Sequence, residues 1–108
     1  MSTRRPPDIE AEVRFLTTQE GGRRAPVRTG VRTPHDFGLA TLNDALLEFI
    51  GSEWLALGET VRANLWFAFP EYQEGRLAPG LTFTIHEIGV VGHGVVLRVL
   101  NEKLRVPG

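Results

Sequence analysis

The 108-residue chain contains no cysteine, a single lysine and only two serines. Without cysteine there is no disulfide, no thiolate nucleophile and no Cys-ligated zinc. A cytoplasmic setting is the expectation that accompanies this composition. Lys103 is followed by Leu104, so a Walker A phosphate loop, which needs Gly-Lys-Ser/Thr, is excluded and no nucleotide binding is expected. Ser2 and Ser52 lie outside any Gly-x-Ser-x-Gly elbow, which leaves a serine hydrolase without its nucleophile. No stretch approaches the ~18 uninterrupted apolar residues of a membrane span. Residues 1–20 carry charges throughout, so neither a membrane association nor a secretory leader is expected.

What the chain does have is arginine. Eleven of its 12 cations are Arg, and the formal net charge of −1 conceals an uneven distribution. Seven Arg face four acids in residues 1–32, whereas five cations face nine acids in the remainder. A guanidinium offers a planar donor fork that suits phosphate and carboxylate. A basic N-terminal part therefore has two readings: a solvated surface, or a contact for RNA or an acidic protein.

Apolar residues make up 42% of the chain, enough for one packed domain. Arg4, Arg5, Pro6 and Pro7 mark a flexible lead-in over residues 1–8. A single domain over 9–104 and a C-terminal tail over 105–108 follow. Ile9, Ala11, Val13 and Phe15 alternate with Glu10, Glu12 and Arg14, the period of a strand with one buried face. Gly21-Gly22 then signals a turn, with a return strand through Pro26–Arg32 completing a hairpin. Val61, Ala63, Leu65, Phe67 and Phe69 oppose Arg62, Asn64, Trp66 and Ala68 on a second strand. Leu81, Phe83 and Ile85 define a third. In the last strand Val95, Leu97 and Val99 oppose Val96, Arg98 and Leu100. Short strands at this spacing predict a small barrel or sandwich. One segment reads differently: Leu42, Ala45, Leu46, Phe49 and Ile50 recur at helical spacing behind a Thr41 N-cap, so the pattern predicts a short helix near 41–50.

Three kinds of residue are candidates for chemistry. His86 and His93, with Glu87 and distant His35, would have to gather from separate strands to hold a metal, and no HExxH spacing brings them together; no metal or other cofactor is expected. Gly89, Gly92 and Gly94 run G-x-x-G-x-G into a strand rather than a helix, so they read as a bulge or barrel corner where a side chain would clash. Most aromatics sit at core-facing positions. Trp66 lies on the polar face beside Arg62 and Asn64, which makes it a candidate contact residue.

Three blocks of residues resemble the C-terminal β-barrel domain, domain III, of elongation factor Tu. The first is Glu10-Ala11-Glu12-Val13, then Glu20-Gly21-Gly22-Arg23, Pro26 and Gly30-Val31-Arg32-Thr33-Pro34. The second is Gly58-Glu59-Thr60-Val61. The third runs from Gly80-Leu81-Thr82-Phe83 through His86-Glu87-Ile88-Gly89 to Gly94-Val95-Val96. Together they span about residues 9–100. The resemblance implies an all-β fold, a six-stranded antiparallel Greek-key barrel. In that family the barrel contacts the acceptor and T-stem backbone of aminoacyl-tRNA and packs on a neighbouring barrel. Arg23 matches the family's Arg after Gly-Gly, Glu87 matches the Glu of Arg-Glu-Gly-Gly, and His35 falls near the Gln of its Gly-Tyr-Arg-Pro-Gln run. The sequence departs from the family at Val31 (for Tyr), Ile88 (for Gly) and His93 (for Ala).

These observations lead to two expectations of function. The first is a non-catalytic binding module that docks on a protein partner, such as a translation regulator, a chaperone or a toxin for which the chain is a decoy or antitoxin. The second is weak tRNA or RNA binding through the Arg-rich hairpin. The candidate contact residues are Arg23, Arg24, Arg28, Arg32, His35, Glu87 and Trp66.

Overall fold

Alternating apolar residues become eight strands in the computed structural model, which describes residues 5–108. They are β1 (Ile9–Phe15), β2 (Val27–Arg28), β3 (Val31–Asp36), β4 (Asn43–Phe49), β5 (Trp54–Leu55), β6 (Thr60–Phe67), β7 (Thr82–His86) and β8 (Val90–Val99). Six of them close into an antiparallel barrel in the order β1-β6-β4-β3-β7-β8, while β2 and β5 form a small separate ribbon. β3, β4 and β6 are antiparallel neighbours in turn, and β1 lies beside β6 after a long connection, which is the Greek-key arrangement. Among the described residues no helix is long and apolar enough to cross a membrane.

Four expectations are corrected. Residues 43–49 form a strand, with Asn43, Ala45, Leu47 and Phe49 buried and Asp44, Leu46 and Glu48 facing out. The helical stripe mixed the two faces of this strand. Leu46 is apolar because it lies opposite Trp66 on the outer wall, and Leu42 and Ile50 flank the strand as exposed residues. The Arg-rich hairpin does not form either: β1 pairs with β6 and β8, and the residues after Gly22 separate into β2, paired with β5, and β3, paired with β4 and β7. In β8 the alternation breaks at a bulge between Val96 and Arg98, so Val96 and Val99 both point inward. Finally, β6 ends at Phe67, and Phe69 turns outward before Pro70.

The barrel interior is filled by Ile9, Val13, Phe15, Leu47, Leu65, Ile85 and their neighbours. Toward one end Phe37 stacks on Phe83 at 4.5 Å and meets Phe67 edge-on at 5.1 Å. Two glycines make room for this packing. A Cβ on Gly94 would lie 2.5 Å from the Phe83 ring and 2.8 Å from the Glu12 carbonyl oxygen; one on Gly92 would lie 2.7 Å from the Arg14 carbonyl oxygen. Gly92 and Gly94 are thus packing requirements, as their spacing suggests, whereas Gly89 faces open space.

The seam is pinned by Asp8. Of the expected lead-in, residues 1–4 lie outside the described residues, but Asp8 is buried. Its carboxylate accepts from the Arg5 guanidinium, from the Phe67 N–H at 2.7 Å and from Asn101 Nδ2 at 2.9 Å. Its backbone donates to Leu65 and accepts from Leu100 and Asn101. At the other terminus pairing continues beyond residue 104, with Val106 N–H donating to the Leu77 carbonyl.

Three outcomes follow for denaturant unfolding. Gly94→Ala is expected to lose about 2–3 kcal/mol through overpacking. Gly89→Ala, which adds its methyl to open space, is expected to change stability by less than about 0.5 kcal/mol. Asp8→Ala leaves a buried N–H and an amide without their acceptor and is expected to cost about 3–5 kcal/mol. Equal midpoints for the two glycine variants would contradict the packing account.

Candidate interaction surface

The turn after β1 is built to deliver Arg23. Thr17 caps a 3-10 turn over Thr18–Glu20 reciprocally: its hydroxyl accepts from the Glu20 N–H at 3.2 Å, and its own N–H donates to Glu20 Oε1 at 2.8 Å. That backbone donor, followed by the Arg14 guanidinium, holds the Glu20 carboxyl below the usual carboxylate range. Gly21 takes φ +92° to leave the turn, and Gly22 sits so close to the Leu16 backbone that no side chain fits. Arg23 thereby reaches Glu87 in the β7–β8 turn, and the two side chains form an ion pair.

Glu87 N–H donates to the Gly89 carbonyl and closes that turn, leaving Ile88 at its tip. Ile88 is 106% exposed relative to its reference state, and Val90 beside it is 45% exposed. Gly21, Gly22, Arg23, Glu87 and Ile88 contribute to the lining of one shallow depression. Isolated exposed apolar residues are ordinary. A β-branched residue with its whole side chain in water at a turn tip is a stronger signal, because no local packing explains it.

The remaining candidate residues divide among other places. Arg24 is exposed, and its side chain has no hydrogen-bond or ion-pair partner among the described residues. Arg28, on β2, pairs with Glu53 at 2.9 Å and lies over the Trp54 ring at 5.8 Å. Both partners of that ion pair are mostly exposed, so it contributes little stability. Arg32 and Trp66 lie on the outer wall formed by β3, β4 and β6, in one cross-strand row with Leu46 between them. Trp66 Nε1 donates to the Arg5 carbonyl at 2.7 Å.

His35 is corrected as a contact residue. It is fully buried in the barrel, 5.7 Å from the Phe83 ring and 5.9 Å from that of Phe37. As an inward residue of β3 it follows Thr33, whose hydroxyl is 3.3 Å from its Nε2. Its Nδ1 has no partner in hydrogen-bond geometry. Burial pushes the imidazole pKa down to about 4, against the opposing pull of the Asn43 and Thr33 backbones; His86 adds a smaller repulsion.

His86 and His93 do not face each other across the β7–β8 ladder. Thr84 is opposite His93 and Val90 is opposite His86, while His86 Nε2 lies 2.7 Å from the Thr84 hydroxyl. Among the described residues no three His, Asp or Glu side chains gather at a metal-holding spacing. Sequence reasoning passed over Trp54 and the Phe69–Tyr72 pair, whose rings lie 6.0 Å apart, both more than half exposed. Alternation from Val61 places Phe69 inward, but Pro70 restrains the residue before it and ends the strand. No protein-family model matches the chain.

The buried imidazole makes stability depend on pH. Its folded pKa lies below the unfolded value of 6.5, so the unfolded chain binds the proton first. The contribution is complete above pH 6.5 and is lost as pH falls toward about 4, for a total of about 3 kcal/mol. His35→Leu is expected to flatten this part of the stability–pH curve in denaturant titrations between pH 7 and 4. An unchanged slope in the variant would show that other groups carry the dependence.

Proposed function

We propose that the chain is a non-catalytic binding module, similar to the C-terminal barrel of elongation factor Tu, that docks on a protein partner through the barrel end bearing Ile88. The observation that carries this reading is the exposed Ile88 and Val90 beside the Arg23–Glu87 ion pair. A partner pocket that buries an aliphatic knob gains roughly 1.5–3 kcal/mol for the side chain alone. The ion pair beside it has no net charge to repel either sign of partner.

The resemblance to the translation factor adds support from a different direction. Arg23 and Glu87 come from separate motif blocks, 64 residues apart, and meet at one point. Where the family has glycine, however, Ile88 places a bulky side chain in the way of a close backbone approach by a phosphate chain. Protein docking is therefore favoured over tRNA binding at this end. The partners consistent with such a module are a translation regulator, a chaperone, or a toxin that the chain intercepts as a decoy, in the cytoplasm.

The test uses the full chain as bait, with Ile88→Asp as its control. The expected result is a protein captured at stoichiometric level by the natural chain, and retention at least about 30-fold weaker with Ile88→Asp, as for an interface hot spot of about 2 kcal/mol or more. Melting temperatures of the two baits should agree, since the Ile88 side chain makes no core contact. Binding of tRNA that weakens steeply with salt and is indifferent to Ile88→Asp would overturn the proposal in favour of an RNA-binding module.

A further inference from the structure

The outer wall of β3, β4 and β6 carries a second feature, remote in register from the Ile88 turn. Arg32, Leu46 and Trp66 form one cross-strand row, and the next row holds Pro34 and Asp44, with the Ala68 N–H bonded to the Asp44 carbonyl at 3.0 Å. Ala68 is small where its neighbour is an indole, and a hollow of about 260 Å3 opens there, floored by Ala45, Leu46 and Ala68 with Trp66 along one side.

Two of the surrounding groups are fixed. The Trp66 indole N–H is held by the Arg5 carbonyl, and the Arg5 guanidinium by Asp8 and the Phe67 carbonyl. The other two are uncommitted. Arg32 and Asp44 both line the hollow and are exposed, yet their side chains pair neither with each other nor with any other described residue. Opposite charges that share an apolar hollow without closing on one another leave a gap for a ligand that carries both charges itself.

We infer that this hollow binds a zwitterion with a large apolar group, of the class of a free aromatic or aliphatic α-amino acid. The guanidinium of Arg32 takes the carboxylate, for which its planar fork is suited. Asp44 accepts from the ammonium group. The side chain lies on Leu46 and Ala68 against the indole of Trp66. Fixed walls lower the ordering cost of binding, while an open, partly hydrated hollow sets the affinity in the millimolar to high-micromolar range.

Trp54→Phe leaves Trp66 as the only indole, so its fluorescence reports on the hollow. In that background L-phenylalanine is expected to produce a saturable change. Phenylpropionate, which lacks the ammonium group, phenethylamine, which lacks the carboxylate, and N-acetylphenylalanine amide, which lacks both charges, are each expected to bind about tenfold or more weakly. Arg32→Met and Asp44→Asn should each reduce L-phenylalanine affinity by a similar factor without lowering the melting temperature, since both side chains are exposed and unpaired. The absence of a saturable signal with L-phenylalanine and L-leucine would overturn the proposal. So would equal binding of the uncharged amide, which would show a nonspecific apolar surface instead. Neither result bears on Ile88, so this test and the docking test fail independently.

Discussion

Everything in this molecule hangs on the closure of β1 between β6 and β8. A six-stranded sheet left open would expose two strand edges with unpaired N–H and C=O groups. Here the first barrel strand in sequence brings the ends of the sheet together, which requires ladders to partners some 50 and 85 residues away in the chain. Asp8 is the point at which that closure is fastened. Its carboxylate and backbone engage the lead-in at Arg5, the end of β6 and the residues following β8. A buried carboxylate is costly unless its oxygens are occupied, and here each has a donor. One turn of strand further on, Glu10 repeats the device on the outside of the barrel: Arg62 of β6 reaches one oxygen at 3.2 Å, and Arg98 of β8 reaches the other at 2.8 Å. Asp8 just before β1 and Glu10 within it thus tie down the same two neighbours, and both carboxylates are buried.

A barrel closed in this way leaves its turns and outer faces accessible. The interior is occupied by side chains, and the one polar ring within it, His35, is held neutral by its aromatic surroundings. The β7–β8 turn is closed by the Glu87 N–H to Gly89 carbonyl hydrogen bond, and Arg23 pairs with Glu87 from the far side of the first connection. In the proposed docking role, an Ile88 on a hydrogen-bonded turn would lose less conformational freedom on burial than an apolar residue on a loose loop.

The sequence revealed the fold where one face of a strand is apolar and the other polar. β1 and β6 are read correctly because Glu10, Glu12 and Arg14, like Arg62 and Asn64, stand out against their neighbours. β4 was misread because both of its faces carry apolar residues, Leu47 inward and Leu46 outward, and Leu46 owes its identity to Trp66 on a strand more than ten residues away. Cross-strand neighbours of that kind are invisible to a local period. The same limit explains β8, where a bulge shifts the alternation by one residue and only the ladder to β1 reveals where. For the candidate residues, Arg23 and Glu87 were found through their motif blocks, and Trp66 through its place on a polar face. As a contact residue His35 was named only through the resemblance, and the predicted strand stopped at Arg32, whereas β3 runs on to Asp36 and puts Thr33 and His35 at its inward positions.

The arginine content is the remaining question, since it first suggested a nucleic-acid surface. Phosphate binding depends on cations that release counterions when they meet the backbone, and a guanidinium already matched to a carboxylate contributes little of that driving force. In the folded chain Arg14 is matched to Glu20, Arg23 to Glu87 and Arg28 to Glu53, while Arg62 and Arg98 share Glu10. Arg76 is drawn inward to Gln73 and the Phe37 carbonyl. Among the described arginines, only the side chains of Arg24 and Arg32 lack such a partner, and they lie on different parts of the barrel, one on the connection before β2 and the other on the outer wall. Lys103, also exposed and without a carboxylate partner among the described residues, lies apart from both, after β8. The arginines join distant segments: Arg23 links residues 64 apart, Arg62 links residues 52 apart, and Arg98 links residues 88 apart. Their forked geometry serves a barrel whose neighbouring strands are far apart in sequence.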